Sequence, residues 1–287
     1  MLKALLKTMR PRQWTKNAFI FAALVFDNKL FHLHDFLHTL AGFGLFCAIS
    51  SSIYIFNDLL DVEADRLHPV KRNRPIASGK LPTPVAITAG VALALAALAG
   101  GYWLNWQFAL VVLAYFILML AYSKWLKHIP ILDVMILASG FVLRVHAGTT
   151  LITVERFSPW LYVIMTLLAL YLGFGKRRAE LALLVEDAKN HRRVLEGYTI
   201  PLLDQFITIV SSTTILAYSL YTFDRLPGNH TLMLTIPFVV YALFRYLYLI
   251  QVKRSGGEPE EILLTDRPFQ ISIVLWGLAV LAVFYLT

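Results

Sequence analysis

The segment Tyr54–Lys80, YIFNDLLDVEADRLHPVKRNRPIASGK, carries an apolar helix straight into the densest mixture of carboxylates and cations in the chain. At about 100° per residue, Tyr54, Asn57, Asp58, Asp61 and Asp65 fall within an arc of roughly 100°, while Glu63 points away. Carboxylates crowded this closely repel one another unless a cation joins them. An all-oxygen set of Asn57, Asp58, Asp61 and Asp65 suits Mg²⁺. Mg²⁺ favours phosphate as a further ligand, and Arg66, His68, Lys71, Arg72 and Arg74 follow directly, able to hold phosphate oxygens by charge-assisted bonds. The plainer reading is a helix end with solvated charges; confinement of the acids to one arc speaks against it.

Outward from this stretch the chain is apolar. Of 287 residues, 58% are hydrophobic and 15% charged, which is not the composition of a soluble domain. Runs of about 17 to 22 apolar residues recur along the whole length, predicting one polytopic membrane domain over 1–287. The lone Cys47 lies in an apolar run, which excludes an internal disulfide and reads as a small packing residue. Lys3, Lys7, Arg10 and Arg12 precede the first apolar run, which reads as a retained membrane segment rather than a cleaved signal.

Spanning segments are predicted near 17–33, 37–56, 85–104, 106–122, 130–150, 159–175, 204–222, 231–250 and 269–287, about nine in all; Asp27, Asn28 and Lys29 interrupt the first. Lys and Arg collect in the N-terminal tail and in the alternate loops 57–84, 123–129, 176–203 and 251–268. The positive-inside rule then places the N-terminus and those loops in the cytoplasm and the C-terminus outside the cell membrane. The net charge of +8 is spread over membrane-surface loops, which fits anionic lipid and phosphate rather than nucleic acid. Gly100 and Gly101 read as close helix packing.

The remaining loops add cations. YSKWLKHIPILD places Tyr122, Lys124, Lys127 and Asp133 near the mouth between two helices, with membrane anchoring as the plain alternative. Arg144 lies inside a spanning segment, where an unpaired charge costs a few kcal/mol or more, and is expected to meet an anion or a carboxylate. Beside it, His146 reads as a core histidine. GFGKRRAEL offers Lys176, Arg177, Arg178 and Glu180 as a cationic edge, with a Lys176–Glu180 pair the plain reading. EDAKNHRRVLEGYT adds Glu186, Asp187, His191, Arg192, Arg193 and Tyr198, and the loop reads as a phosphate-binding wall first and a metal site second. SGGEPEEILLTDRP, with Gly256, Gly257, Glu258, Glu260, Glu261, Asp266 and Arg267, reads as a lid or a connector, and Arg245 as snorkelling to its surface.

The run Asn57-Asp58-x-x-Asp61-x-x-x-Asp65 at the end of the second helix, with the basic segment after it, resembles the first aspartate-rich motif of the UbiA superfamily of membrane prenyltransferases. The resemblance implies an all-α integral membrane fold, a bundle of nine transmembrane helices around a central cavity open to the cytoplasmic side and the membrane. In the third loop, where the prenyltransferases carry a second aspartate-rich motif, this chain has KRRAEL and EDAKNHRR. RPRQWTKN, NDLLDVEADRLHPVKRNRPIASG, YSKWLK, LRVHAG, GKRRAEL and SGGEPEEILLTDRP are similar to the superfamily branch of polyprenyl-phosphate phosphoribosyltransferases.

That similarity implies a Mg²⁺-dependent transfer of 5-phosphoribose from phosphoribosyl diphosphate to a polyprenyl phosphate, a step towards arabinose-type cell-wall sugar donors. Asp58, Asp61 and Asp65 are then the expected catalytic residues, with Asn57 joining them around Mg²⁺. Lys16, Tyr54, Lys71, Arg72 and Arg74 are expected on the donor phosphates. Tyr122, Lys124, Lys127, Arg144, Lys176, Arg177, Arg178 and Glu180 complete the substrate-binding set, the cations taking the lipid phosphate. The bilayer is a further partner, and a homo-oligomer is compatible with the sequence. A prenyltransferase acting on an aromatic acceptor is the nearest alternative. A transporter would need a polar path across the bilayer, which the nearly bare outer loops do not supply.

Overall fold

The computed structural model describes residues 1–155, 158–184, 193–225, 230–253 and 259–286. Every regular element among them is helical: α1 Leu2–Met9, a 3₁₀ stretch Pro11–Phe21, α2 Ala22–Phe26, α3 Leu33–Leu60, α4 Val62–Leu67, α5 Thr83–Leu104, α6 Trp106–Lys124, α7 Leu132–Thr149, α8 Trp160–Leu184, α9 Ile200–Asp224, α10 Ile236–Gln251, α11 Pro259–Thr265 and α12 Arg267–Leu286. Two units result: 1–129 with 140–156, and 130–139 with 157–287, so that α7 contributes to both.

In the first unit α3 is the central helix, packed by α5, α6, α1 and the 3₁₀ stretch. Small residues set the spacing. A Cβ on Gly100 would meet Leu45 Cδ2 at 2.8 Å, and one on Gly101 would meet Phe108 Cδ1 at 3.3 Å, so the two glycines do serve close packing. Phe46 rests against Tyr115 at 4.8 Å between ring centroids, and Phe46 and Phe108 are wholly buried. Asn105 joins α5 to α6 by itself: its side chain caps Gln107 N–H and donates to the Thr150 carbonyl.

The second unit packs α9 on α8, and α10 on α8, α9 and α12. Its core includes Tyr171, Phe174, Leu203, Tyr246 and Ile250. Thr199 caps α9 through Leu202 N–H, and Asp266 caps α12 through Phe269 N–H. Bidentate bonds from Arg245 to Asp266 fasten the start of α12 to α10. Arg245 therefore has a carboxylate partner, which sequence reasoning did not assign.

Seven helices among the described residues are long and apolar enough to cross a membrane: α3, α5, α6, α7, α9, the Thr231–Gln251 stretch containing α10, and α12. The sequence-predicted segment 17–33 takes a different form. Instead of one α-helix it holds the end of the 3₁₀ stretch, α2 and, from Asp27 to His32, non-helical chain with Asn28 at φ 59°, so the polar Asp27-Asn28-Lys29 break ends the helix at Phe26. Helix α8 has the length, but its second half runs into Lys176, Arg177, Arg178 and Glu180.

Candidate active site

Helix α3 ends at Leu60 and Asp61 is its C-cap, at φ −93° and ψ 5°, before α4 starts at Val62. The backbone bond from Asp65 N to the Asp61 carbonyl carries the helical path across this joint, and Asp58 and Asp65 lie close enough to share Arg74. Glu63 faces solvent and pairs with Arg66 at 2.9 Å.

What neutralises the acids was not foreseen. Asp58 Oδ1 receives Arg10 at 2.6 Å and Arg74 at 3.2 Å. Arg74 also donates to Asp65 Oδ2 at 2.6 Å, and Lys127 Nζ reaches Asp61 Oδ1 at 2.6 Å. Asp58 and Asp65 are buried, whereas the Asp61 side chain is 31% exposed. The self-repelling acidic face expected from the sequence is thus a carboxylate–cation lattice. Among the described residues no three His, Cys, Asp or Glu side chains converge as a ready-made metal cage. The donor chemistry still suits Mg²⁺, because Asn57 and Asp61, the less buried members, supply oxygens at the joint, and Mg²⁺ is commonly held by one or two carboxylates with phosphate and water completing its shell.

Arg10 was missed by sequence reasoning, which counted it only as a tail cation. It takes a left-handed conformation, φ 53°, as the C-cap of α1, and its guanidinium lies 4.9 Å from the Tyr54 ring centre. That turn brings RPRQWTKN back along α3: Trp14 Nε1 donates to Ser51 Oγ, and Asn17 Nδ2 to Ser50 Oγ. Lys16, on the same stretch, is half-buried.

The basic loop is built rather than loose. Ile76 and Leu81 are buried with Ile55 and Ala86 beneath it, and Leu5 and Met9 of α1 pack on the same cluster. His68 Nδ1 accepts the N–H groups of Val70 and Lys71. Desolvation and the Lys71 charge hold its imidazole below the ordinary histidine value, which preserves the neutral, accepting ring. Gly79 closes the loop at φ 74°, a conformation that favours glycine. Lys71 and Arg72 are exposed and Arg74 is half-buried.

Tyr122 is half-buried, and Lys124 is exposed above the Trp125 ring at 4.6 Å, the arrangement of a membrane-surface anchor. Arg144 is 5% exposed and meets neutral acceptors instead of the expected anion: Asn17 Oδ1 at 2.8 Å, the Gly140 carbonyl at 2.8 Å and Tyr115 Oη at 2.7 Å.

In the second unit the KRRAEL edge turns inward. Arg177 is 1% exposed, donating to Asp133 Oδ2 at 2.8 Å and pairing with Glu180. Tyr198 Oη donates to Asp133 Oδ1 at 2.7 Å. Arg178 holds Asp204 by two bonds, at 2.6 and 3.4 Å. Glu180 pairs with Arg177, a partner the sequence did not suggest, and Lys176 is half-buried. Arg177 and Arg178 are committed to carboxylates, unlike the open phosphate edge expected. Glu186, Asp187, His191, Arg192, Gly256, Gly257 and Glu258 lie outside the described residues, as do the side chains of Arg193 and Glu260.

The profile of the UbiA prenyltransferase family matches residues 18–274. The chain belongs to the UbiA family. It is 36% identical over 291 residues to the decaprenyl-phosphate phosphoribosyltransferase of Mycolicibacterium smegmatis, covering 96% of this chain and 91% of the relative. It is 33% identical to the protein of the same name from Corynebacterium glutamicum, covering 98% and 87%. Among solved structures, the UbiA homolog from Archaeoglobus fulgidus bound to GPP and Mg²⁺ superposes with a TM-score of 0.74 at 21% identity, over 98% of this chain and 99% of that one. The UbiA fold follows from this likeness, and the relatives' shared name agrees with the branch suggested by the motifs.

Proposed function

We propose that the chain transfers the 5-phosphoribosyl group of phosphoribosyl diphosphate to a polyprenyl phosphate, releasing diphosphate. The anomeric C–O bond to diphosphate breaks and a bond to the acceptor phosphate oxygen forms. The observation that carries this reading is the lattice at the α3–α4 joint, where Arg10, Arg74 and Lys127 are held on Asp58, Asp61 and Asp65. Such cations can turn from carboxylate to incoming phosphate without crossing an apolar gap.

In our reading Lys16, Tyr54, Lys71, Arg72 and Arg74 hold the donor phosphates. Asn57 and Asp61 would hold Mg²⁺, with Asp58 and Asp65 behind them. When bound, Mg²⁺ supplies charge neutralisation for the departing diphosphate. Lys124, Lys127 and Tyr122 of the first unit are our candidates for the acceptor headgroup; in the second unit Arg177, Arg178 and Glu180 fix the helix that carries Lys176. The acceptor is already an anion, so no strong general base is required, and orientation with charge stabilisation lowers the barrier.

For the fold we propose nine spans: the seven apolar helices, α8, and the composite of the 3₁₀ stretch and α2. At rises of about 2.0 and 1.5 Å per residue the composite reaches about 30 Å, the thickness of the hydrocarbon core. Loop charge orients the basic loops and N-terminus to the cytoplasm. The activity test uses purified full-length chain with Mg²⁺, labelled phosphoribosyl diphosphate and polyprenyl phosphate, followed by extraction into organic solvent. Label in the lipid phase supports the reading. Prenyl transfer to an aromatic acid, with no lipid labelling, would replace it with the prenyltransferase alternative.

A further inference from the structure

Arg144 stands deep in α7 with no carboxylate among its described partners. Its guanidinium donates to Asn17, Gly140 and Tyr115 and lies 4.8 to 5.7 Å from the Phe46, Tyr115 and Phe141 ring centres. Room for it is left by Gly140, where a Cβ would stand 3.4 Å from Nη1. A membrane-buried arginine held only by neutral groups is costly to retain, and what it touches gives the reason. Asn17 is wholly buried; its amide donates to Ser50 and to Cys47 Sγ at 3.3 Å while its carbonyl accepts from Arg144.

The stretch Pro11–Phe21 is a 3₁₀-helix, in which each residue advances about 120° and positions three apart eclipse. Trp14, Asn17 and Ile20 therefore form one row, and Gln13, Lys16 and Phe19 the next. The first row is fastened at every position: Trp14 to Ser51, Asn17 to Ser50 and Arg144, and Ile20 against α7, where a Cβ on Gly148 would lie 2.0 Å from the Ile20 carbonyl oxygen. A run of eleven residues is long for this helix type, so side-chain fastenings rather than backbone preference set its phase.

We infer that Arg144 is a positioning residue for the donor: through Asn17 it fixes the rotational phase of the 3₁₀ stretch and so the direction in which Lys16 is presented. This rests on the donor-binding role proposed above for Lys16. Replacing Arg144 by an apolar residue of similar volume lifts the cost of a desolvated charge but leaves Asn17 Oδ1 and Tyr115 Oη without their donor. Loss of Arg144 should therefore let the stretch relax towards an α-helix, which turns about 20° less per residue.

The test compares wild type, Arg144→Met, Arg144→Lys and Asn17→Leu in full-length chain. Arg144→Met and Asn17→Leu should each raise the donor KM about tenfold, leaving acceptor KM near wild type; a lowered Tm is expected from the orphaned buried partners and is the same whether or not Lys16 is re-aimed. Arg144→Lys, which keeps a donor for Asn17, should fall between. An activity-independent arm measures the maleimide labelling rate of Lys16→Cys, corrected for buried Cys47, with and without Arg144→Met; a severalfold change is expected. An unchanged labelling rate, or a rise in acceptor KM instead, would overturn the inference. If Arg144→Met does not fold, Asn17→Leu reads the same lock from its other side. Absence of phosphoribosyl transfer by wild type would sink the functional reading, while the labelling arm still decides the lock.

Discussion

Asp61 and Asp133 are both paired with a cation at hydrogen-bond distance, 2.6 Å to Lys127 and 2.8 Å to Arg177, yet they sit in opposite surroundings. Asp61 is at a helix joint with its side chain 31% exposed and Lys127 13% exposed. Asp133 is wholly buried, the Arg177 side chain is 2% exposed, and Tyr198 bonds the second carboxylate oxygen. A partly solvated pair can exchange its partner for water, metal or phosphate at smaller cost. In a buried pair each charge depends on the other, because neither has water to fall back on. The first arrangement suits a site whose ligands come and go, and the second suits scaffold.

The comparison is put at greatest risk in the second unit. Arg177→Ala strands the buried Asp133 charge and should destabilise by about 3–5 kcal/mol, and Asp133→Ala by less, because Arg177 keeps Glu180. The double variant Asp133→Leu/Arg177→Met should recover most of that loss. Thermal unfolding of the purified chain in detergent checks it; additive losses in the three variants would show that the pair is not coupled.

At the α3–α4 joint the expectation reverses. Asp61→Ala should lower turnover by about a hundredfold or more while Tm stays near wild type, since its loss leaves only a partly solvated Lys127. Asp65→Ala should do both, because Arg74 keeps a half-buried charge with one buried partner fewer. Measuring Tm and initial rate on the same preparations separates the two. If Asp61→Ala unfolds the chain as Asp133→Ala does, exposure is not what distinguishes the pairs.

These contrasts were only partly legible in the sequence. Apolar runs bounded by Pro, Asn and Lys gave 85–104 and 106–122, against Thr83–Leu104 and Trp106–Lys124, since membrane helices must satisfy their own backbone and need length above all. Helical spacing put Asp58 and Asp65 within reach of one cation, Arg74, while Asp61 took another, Lys127. It could not say which cations would reach them, because Arg10 and Lys127 arrive from 48 and 66 residues away. KRRAEL looked like an open edge for the same reason: the carboxylates that claim Arg177 and Arg178 are 44 and 26 residues distant. The 3₁₀ stretch did leave a trace, the spacing of three in Trp14, Asn17 and Ile20, which departs from the 3.6-residue period of an α-helix.

A smaller effect probes the basic loop. Lys71→Ala removes one exposed charge from a loop whose shape rests on buried Ile76 and Leu81. Stability should hold, and the donor KM should rise by about ten- to a hundredfold, the worth of one charge-assisted bond of 1.5–3 kcal/mol. Lys124→Ala, which removes an anchor stacked on Trp125, should change the donor KM much less. Equal effects would mean that the loop draws the donor by general charge rather than by placed contacts.

The smallest expected effect is on pH. His68 accepts two backbone N–H groups through Nδ1, so only the ring unprotonated at that nitrogen can hold the turn that carries Lys71. Desolvation and Lys71 lower its folded pKa from 6.5. The folded chain therefore binds fewer protons than the unfolded one across that interval, and stability of the turn rises with pH. Its contribution is complete above the ordinary histidine value and is lost as pH falls through the lowered one. Donor KM should accordingly rise severalfold between pH 7 and pH 5. Asn in place of His68 offers an acceptor oxygen to the same N–H groups without titrating, and should flatten that dependence while leaving the neutral-pH KM near wild type. The carboxylates at the α3–α4 joint are unaltered by this exchange. A pH profile that survives His68→Asn would thus move the titration from the loop to the acids it faces.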